Sequence, residues 1–209
     1  DVESYRRSGI TLSADEDYVA PDNEPADYLG HGTAAAAVAA ATRGNGRGGS
    51  GVCPRCTVMA VRNGGFVAAN RPGFAEADDI VKSIYYAADN GARVVNLSIG
   101  GYSYSQTLGD AVEYAHTKGA VLVAAGGNED SADPIYPAAY PNVIGVSATD
   151  AADQIWAPSN QGKYIKLSAP GVNIFSTAPN KEYAIATGTS ASAAYVSGVA
   201  ALIFSKNPD

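Results

Sequence analysis

The chain has 209 residues, 46% of them apolar and 17% charged, enough apolar content for the core of one globular domain and too much for a disordered segment. Its net charge of −7 and its lack of any cluster of Lys and Arg exclude nucleic acid as an expected partner, because phosphate binding rests on such clusters. No apolar run approaches the roughly 20 residues that cross a bilayer, and the amino terminus has no basic-then-apolar signal pattern, so no membrane contact is expected.

Residues 1–30 read as an acidic loop, with Asp15, Glu16, Asp17, Asp22, Glu24 and Asp27 scattered among Pro and Gly. From His31 the run HGTAAAAVAAATR predicts one buried helix of small residues, stopped by the glycine-rich stretch GNGRGGSG. TVMAVR (57–62) predicts a strand, 76–91 an amphipathic helix, and RVVNLSIG (93–100) a strand rich in β-branched residues. A helix over 105–119 follows, then AVLVAAGG (120–127), nearly all apolar in the manner of a strand covered on both faces. Short strands are expected at 143–147 and 165–168, and GTSASAAYVSGVAALIF (188–204) predicts a last helix. This alternation predicts an α/β fold of three layers, α/β/α, with a mainly parallel sheet and right-handed crossovers. In such folds ligands sit beyond the carboxyl ends of the strands. With no internal repeat and no second boundary, residues 1–209 read as a single domain.

Three segments put a reactive side chain beside glycine where strand ends meet helix starts: Gly30-His31-Gly32-Thr33, Gly126-Gly127-Asn128 and Gly188-Thr189-Ser190-Ala191. A serine hydroxyl is a poor nucleophile until a base takes its proton, and His31 is the better placed of only two histidines. At the start of a helix, the Ser190 N–H belongs to the unpaired first turn and can face an oxyanion. The Asn128 side-chain amide is the candidate second donor. Each signal alone is ordinary: a serine at a helix start caps, and an asparagine after glycines turns the chain. Their order along one parallel α/β pattern is what makes them a set.

Six segments, GHGT (30–33), NLSIGG (96–101), VAAGGNE (123–129), YPAAYPNVIGVSATD (136–150), LSAPG (167–171) and GTSASAAYVSG (188–198), resemble motifs of the subtilisin-like serine proteases, and the likeness runs from about Asp27 to the carboxyl terminus. The resemblance implies His31 as general base and acid, Ser190 as the acylated nucleophile and Asn128 as oxyanion donor. It implies that Ser98, Ile99, Gly100 and Gly101 form the edge along which substrate pairs, and that with Ala125, Gly126 and Gly127 they wall the primary specificity pocket. Glu129 falls at that pocket's rim, a hint of tolerance for basic or polar side chains, and Tyr136–Pro137 is expected to be cis. The implied protein is a secreted, monomeric serine endopeptidase that acts on polypeptide in extended conformation and requires no cofactor. Subtilisins often bind structural calcium, but the 43–51 loop that resembles such a region has no carboxylate and only Asn45 as a side-chain oxygen ligand.

The family's aspartate belongs to an Asp-Ser/Thr-Gly turn before the histidine, and nothing before His31 reads that way. The expectation is a domain truncated at both ends, with Asp1 just past that turn; the second reading makes Asp1 itself the triad aspartate. Ala34, Ala191, Ala194 and Tyr195 replace the usual histidine, methionine, proline and histidine without removing a reacting group. The alternative function is a catalytically impaired module of the same fold that binds peptides.

Other signals lead nowhere specific. Gly44 to Gly49 fits G-x-G-x-x-G but follows a helix, against a dinucleotide site. Asn96-Leu97-Ser98 fits a glycosylation sequon in a strand expected to be buried. Cys53 and Cys56 have no further cysteines with which to build a zinc site, which leaves a local disulfide or two reduced thiols in a turn. The acidic clusters at 15–27 and 129–133 read as solvated surface, as does His116.

Overall fold

A computed structural model describes residues 27, 29–63, 75 and 77–207. Its helices are α1 (His31–Ala40), α2 (Ala77–Asp89), α3 (Gln106–Thr117) and α4 (Thr189–Lys206). Its strands are β1 (Val94–Leu97), β2 (Val121–Ala125), β3 (Val143–Thr149), β4 (Ile165–Pro170), β5 (Ile174–Ala178) and β6 (Glu182–Ala186). Strands β1 to β4 form one sheet in the order β1-β2-β3-β4 with every pair parallel. β5 and β6 form a separate antiparallel hairpin.

The period-two alternation of β2 explains the layers. Leu122 and Ala124 join one core with Val95, Leu97, Ile84 and Val112, beneath α2 and α3. Val123 and Ala125 join a second core with Val146, Ala169, Ala193 and Val196, beneath α4. Both faces of the strand are therefore dry, as its unbroken apolar run requires. α1 lies on the α4 side, where Val38 packs with Ile174, Ala191 and Ala194. The expected three-layer arrangement with a mainly parallel sheet is the one observed.

Three expectations are corrected. Residues 57–62 form no strand: no neighbour among the described residues completes a ladder with them, and Met59 only packs against the first core. The first helix ends at Ala40, short of the glycines, because Ala41 leaves helical geometry and accepts from the Gly51 N–H at 2.9 Å. The strand around Asn96 is not wholly buried; Asn96 is exposed, with its amide donating to Ser98 Oγ and accepting from Ser197 Oγ. The β5–β6 hairpin was not anticipated, although Pro179-Asn180 between two alternating runs is a turn signal. Cys53 and Cys56 are joined as a disulfide, and Tyr136–Pro137 is cis. Among the described residues no helix is long and apolar enough to cross a membrane.

Candidate active site

The carboxyl ends of β1 and β2 and the amino ends of α1 and α4 converge. β1 runs out at Leu97 into Ser98, β2 at Ala125 into Gly126-Gly127-Asn128, and Ser190 is the second residue of α4. Ser98 and Ser190 are tied reciprocally: Ser98 Oγ donates to the Ser190 carbonyl at 2.9 Å, and Ser190 Oγ donates to the Ser98 carbonyl at 3.3 Å. His31, the first residue of α1, is exposed and lines a small cavity of about 30 Å³ together with Ser190, Ala34, Ala35, Val38, Ala186 and Ala191.

Two residues not singled out from sequence fix these groups. Asp27 replaces a conventional helix cap, since Gly30 at that position has no side chain to offer. Its Oδ1 accepts from the N–H groups of Leu29 and Gly30 at 3.0 and 2.8 Å, and its Oδ2 accepts from the Thr33 N–H and hydroxyl at 2.7 and 2.8 Å. Burial pushes this carboxyl up, but the bonds from Thr33, Gly30 and Leu29 outweigh it and hold the group below the usual carboxylate value. The anion thus anchors the helix end that carries His31. β5 holds the same turn through Ser176 Oγ, which donates to the Ala34 carbonyl at 2.7 Å.

Thr189 is the second. Its N–H and hydroxyl both donate to Asn128 Oδ1, at 2.9 and 3.0 Å, and its hydroxyl accepts from the Gly127 N–H at 3.1 Å. This orients the Asn128 amide: with the oxygen occupied, the nitrogen is the end left for a ligand. The Ala191 N–H donates to the Gly188 carbonyl, while the Ser190 N–H, in the unpaired first turn of the helix, has no hydrogen-bond partner among the described residues. One side-chain and one backbone N–H, those of Asn128 and Ser190, are therefore left for a ligand, and Asn128 is bonded to Thr189, the residue next to Ser190. A threonine opening a helix after glycine was the available signal.

Backbone pairing places the segment expected to form the substrate edge. Gly101 exchanges both backbone bonds with Tyr136, at 2.9 and 2.8 Å. Strand alternation then turns the polar groups of Ser98 and Gly100 to the opposite edge, where the Ser98 carbonyl indeed meets Ser190. Ile99 packs back on the first core. Ala125 buries its methyl in the second core and Gly126 and Gly127 are buried, so these three present backbone rather than side chain. Glu129 accepts from the Asn128 N–H at 2.8 Å and from the Tyr102 hydroxyl at 3.4 Å. No hydrogen bond or ion pair engages the His31 ring among the described residues, and Asp1 lies outside them. No group of three or more His, Cys, Asp or Glu among the described residues is placed to hold a metal ion.

Comparisons with known proteins agree with this geometry. The model of the "Subtilase family" of S8 peptidases matches residues 5–209. The chain is 43% identical over 190 residues to the "Thermophilic serine proteinase" of Bacillus sp. (strain AK1), covering 91% of this chain and 46% of that protein. It is 40% identical over 182 residues to the "Major intracellular serine protease" of Bacillus subtilis (strain 168), covering 85% and 56%. The solved structure of "Sphericase" superposes with a TM-score of 0.81 at 30% identity, over 91% of this chain and 68% of that one. The chain thus spans about half the length of these curated relatives, among which both intracellular and extracellular proteases occur. By family model, sequence and fold together, this chain belongs to the subtilase family.

Proposed function

We propose that this site hydrolyses peptide bonds through an acyl-enzyme, as a serine endopeptidase. The observation that carries the reading is the Thr189–Asn128 lock, which leaves the Asn128 amide nitrogen as the end for a ligand next to the helix start that carries Ser190, in a site whose cavity Ser190 and His31 both line. An extended peptide pairs with the Ser98 and Gly100 edge. Its N–H takes the Ser98 carbonyl and so frees the Ser190 hydroxyl from that acceptor. Ser190 Oγ then attacks the scissile carbonyl carbon while His31 takes its proton, and the Asn128 amide and Ser190 N–H hold the oxyanion. Collapse expels the amine with the proton from His31. Water attacks the ester, giving its proton to His31, and Ser190 leaves as the hydroxyl, releasing the acid.

The remaining triad member is a carboxylate that orients the imidazole. We read it as lying outside the described residues and other than Asp1; the second reading, in which Asp1 itself is that carboxylate, is tested by the effect of Asp1→Asn on kcat in the intact protein. The Cys53–Cys56 disulfide favours an oxidising compartment, which supports secretion over an intracellular site. Hydrolysis of a panel of chromogenic peptides by the intact protein, Ser190→Ala and His31→Ala tests the whole reading. Turnover lost in both variants is expected. Folded protein that binds peptides without turnover would instead assign the peptide-binding alternative.

A further inference from the structure

We infer that Asn160 and Tyr164, remote in sequence from every reacting group, are positioning residues that set the oxyanion donor Asn128. The inference rests on the peptidase reading of the site.

The segment Gly126 to Ser131, which carries Asn128, has no regular structure of its own, so its backbone groups need partners from elsewhere. Residues 158–164 supply them. Asn160 Oδ1 accepts from the N–H groups of Glu129 and Ser131 at 2.9 and 3.1 Å, and the Asn160 N–H donates to the Gly127 carbonyl at 3.0 Å. Asn160 Nδ2 donates to the Tyr164 hydroxyl at 3.2 Å, and that hydroxyl donates to the Gly126 carbonyl at 2.8 Å. One asparagine and one phenol therefore grip the loop on both sides of Asn128.

The fit is close. Asn160 is fully buried. Gly127 has a positive φ of 105°, and a Cβ there would lie 2.3 Å from Asn160 Nδ2, so the asparagine occupies the space that glycine leaves. A phenol is protonated through the neutral range and able to donate there, and burial pushes that of Tyr164 further up.

This division of labour gives Thr189 the orientation of the Asn128 amide and Asn160–Tyr164 the position of the backbone beneath it. The consequence is specific. Oxyanion donors act in the transition state, so a shift of the loop lowers kcat at nearly constant KM. The effect also has to pass through Asn128, so it vanishes once the Asn128 amide is gone.

The test is a double-mutant cycle in the intact protein, with peptide hydrolysis and thermal melting followed for wild type, Tyr164→Phe, Asn128→Ala and the double variant. Asn160→Ser replaces Tyr164→Phe if the latter does not fold. Expected are a loss of about tenfold in kcat for Tyr164→Phe with KM unchanged, and no further loss when it is added to Asn128→Ala. A Tyr164→Phe variant that keeps full kcat, or that loses the same factor in both backgrounds, overturns the inference while leaving the peptidase reading in place. Hydrolysis unchanged in Asn128→Ala alone removes Asn128 as the oxyanion donor and overturns the inference, whereas no hydrolysis by the folded wild type overturns the peptidase reading itself.

Discussion

At the scale of single residues, the site depends on groups whose only task is to aim others. Asn128→Ala is expected to lower kcat by about 10²- to 10³-fold with little change in KM, the range known for removing this donor in subtilisin and not a value read from this geometry; steady-state kinetics checks it. Asp27→Ala leaves four donors of the α1 entry unpaired and is expected to cost about 1 kcal/mol. Because the folded-state carboxyl sits below its ordinary value, the contribution is present above the unfolded value and is lost as pH falls through the folded one. Denaturant melts of wild type and Asp27→Ala should thus converge in acid and separate toward neutrality. His31, Ser190 and Asn128 were legible in the sequence because each sits beside glycine at an element boundary. Asp27 looked like one more acid in a loop, since its role depends on the chain folding back over six residues to Thr33. Asn160 and Tyr164 gave no signal for this role, because the loop groups that their side chains hold lie 29 to 38 residues away.

At the scale of elements, α1 is held at both ends. Asp27 and Ser176 fix its start, and Val52 and Cys53 donate to the carbonyls of Val38 and Ala39 at 3.1 and 2.8 Å near its end. The disulfide closes the turn that makes those bonds. Chain entropy for so short a loop predicts that Cys53→Ser lowers stability by about 2 kcal/mol, measurable by chemical denaturation against wild type. Leu122, fully buried in β2, should cost about 2–5 kcal/mol on truncation to Ala, again read from the denaturation midpoint. The helices and the parallel strands were visible as periodicity. Residues 57–62 have the composition of a strand but no partner for its ladder among the described residues, and composition cannot report a missing neighbour. The β5–β6 hairpin escaped for the opposite reason: its runs expose Phe175, Tyr183 and Ile185, so its apolar pattern does not mark a buried face.

At the scale of the whole molecule, the sheet brings residues 31, 98, 128 and 190 to one end of the strands, and the two cores on either side of β2 keep those ends in register. The order of the segments along the chain was readable; their convergence follows from the parallel topology. The central claim is that Ser190 is an activated nucleophile. Reaction of the intact protein with a fluorophosphonate, followed by peptide mapping, tests it most directly. The account predicts a single adduct on Ser190, absent in Ser190→Ala and strongly slowed in His31→Ala. A folded protein that takes no label, or takes it at another residue, would contradict the account.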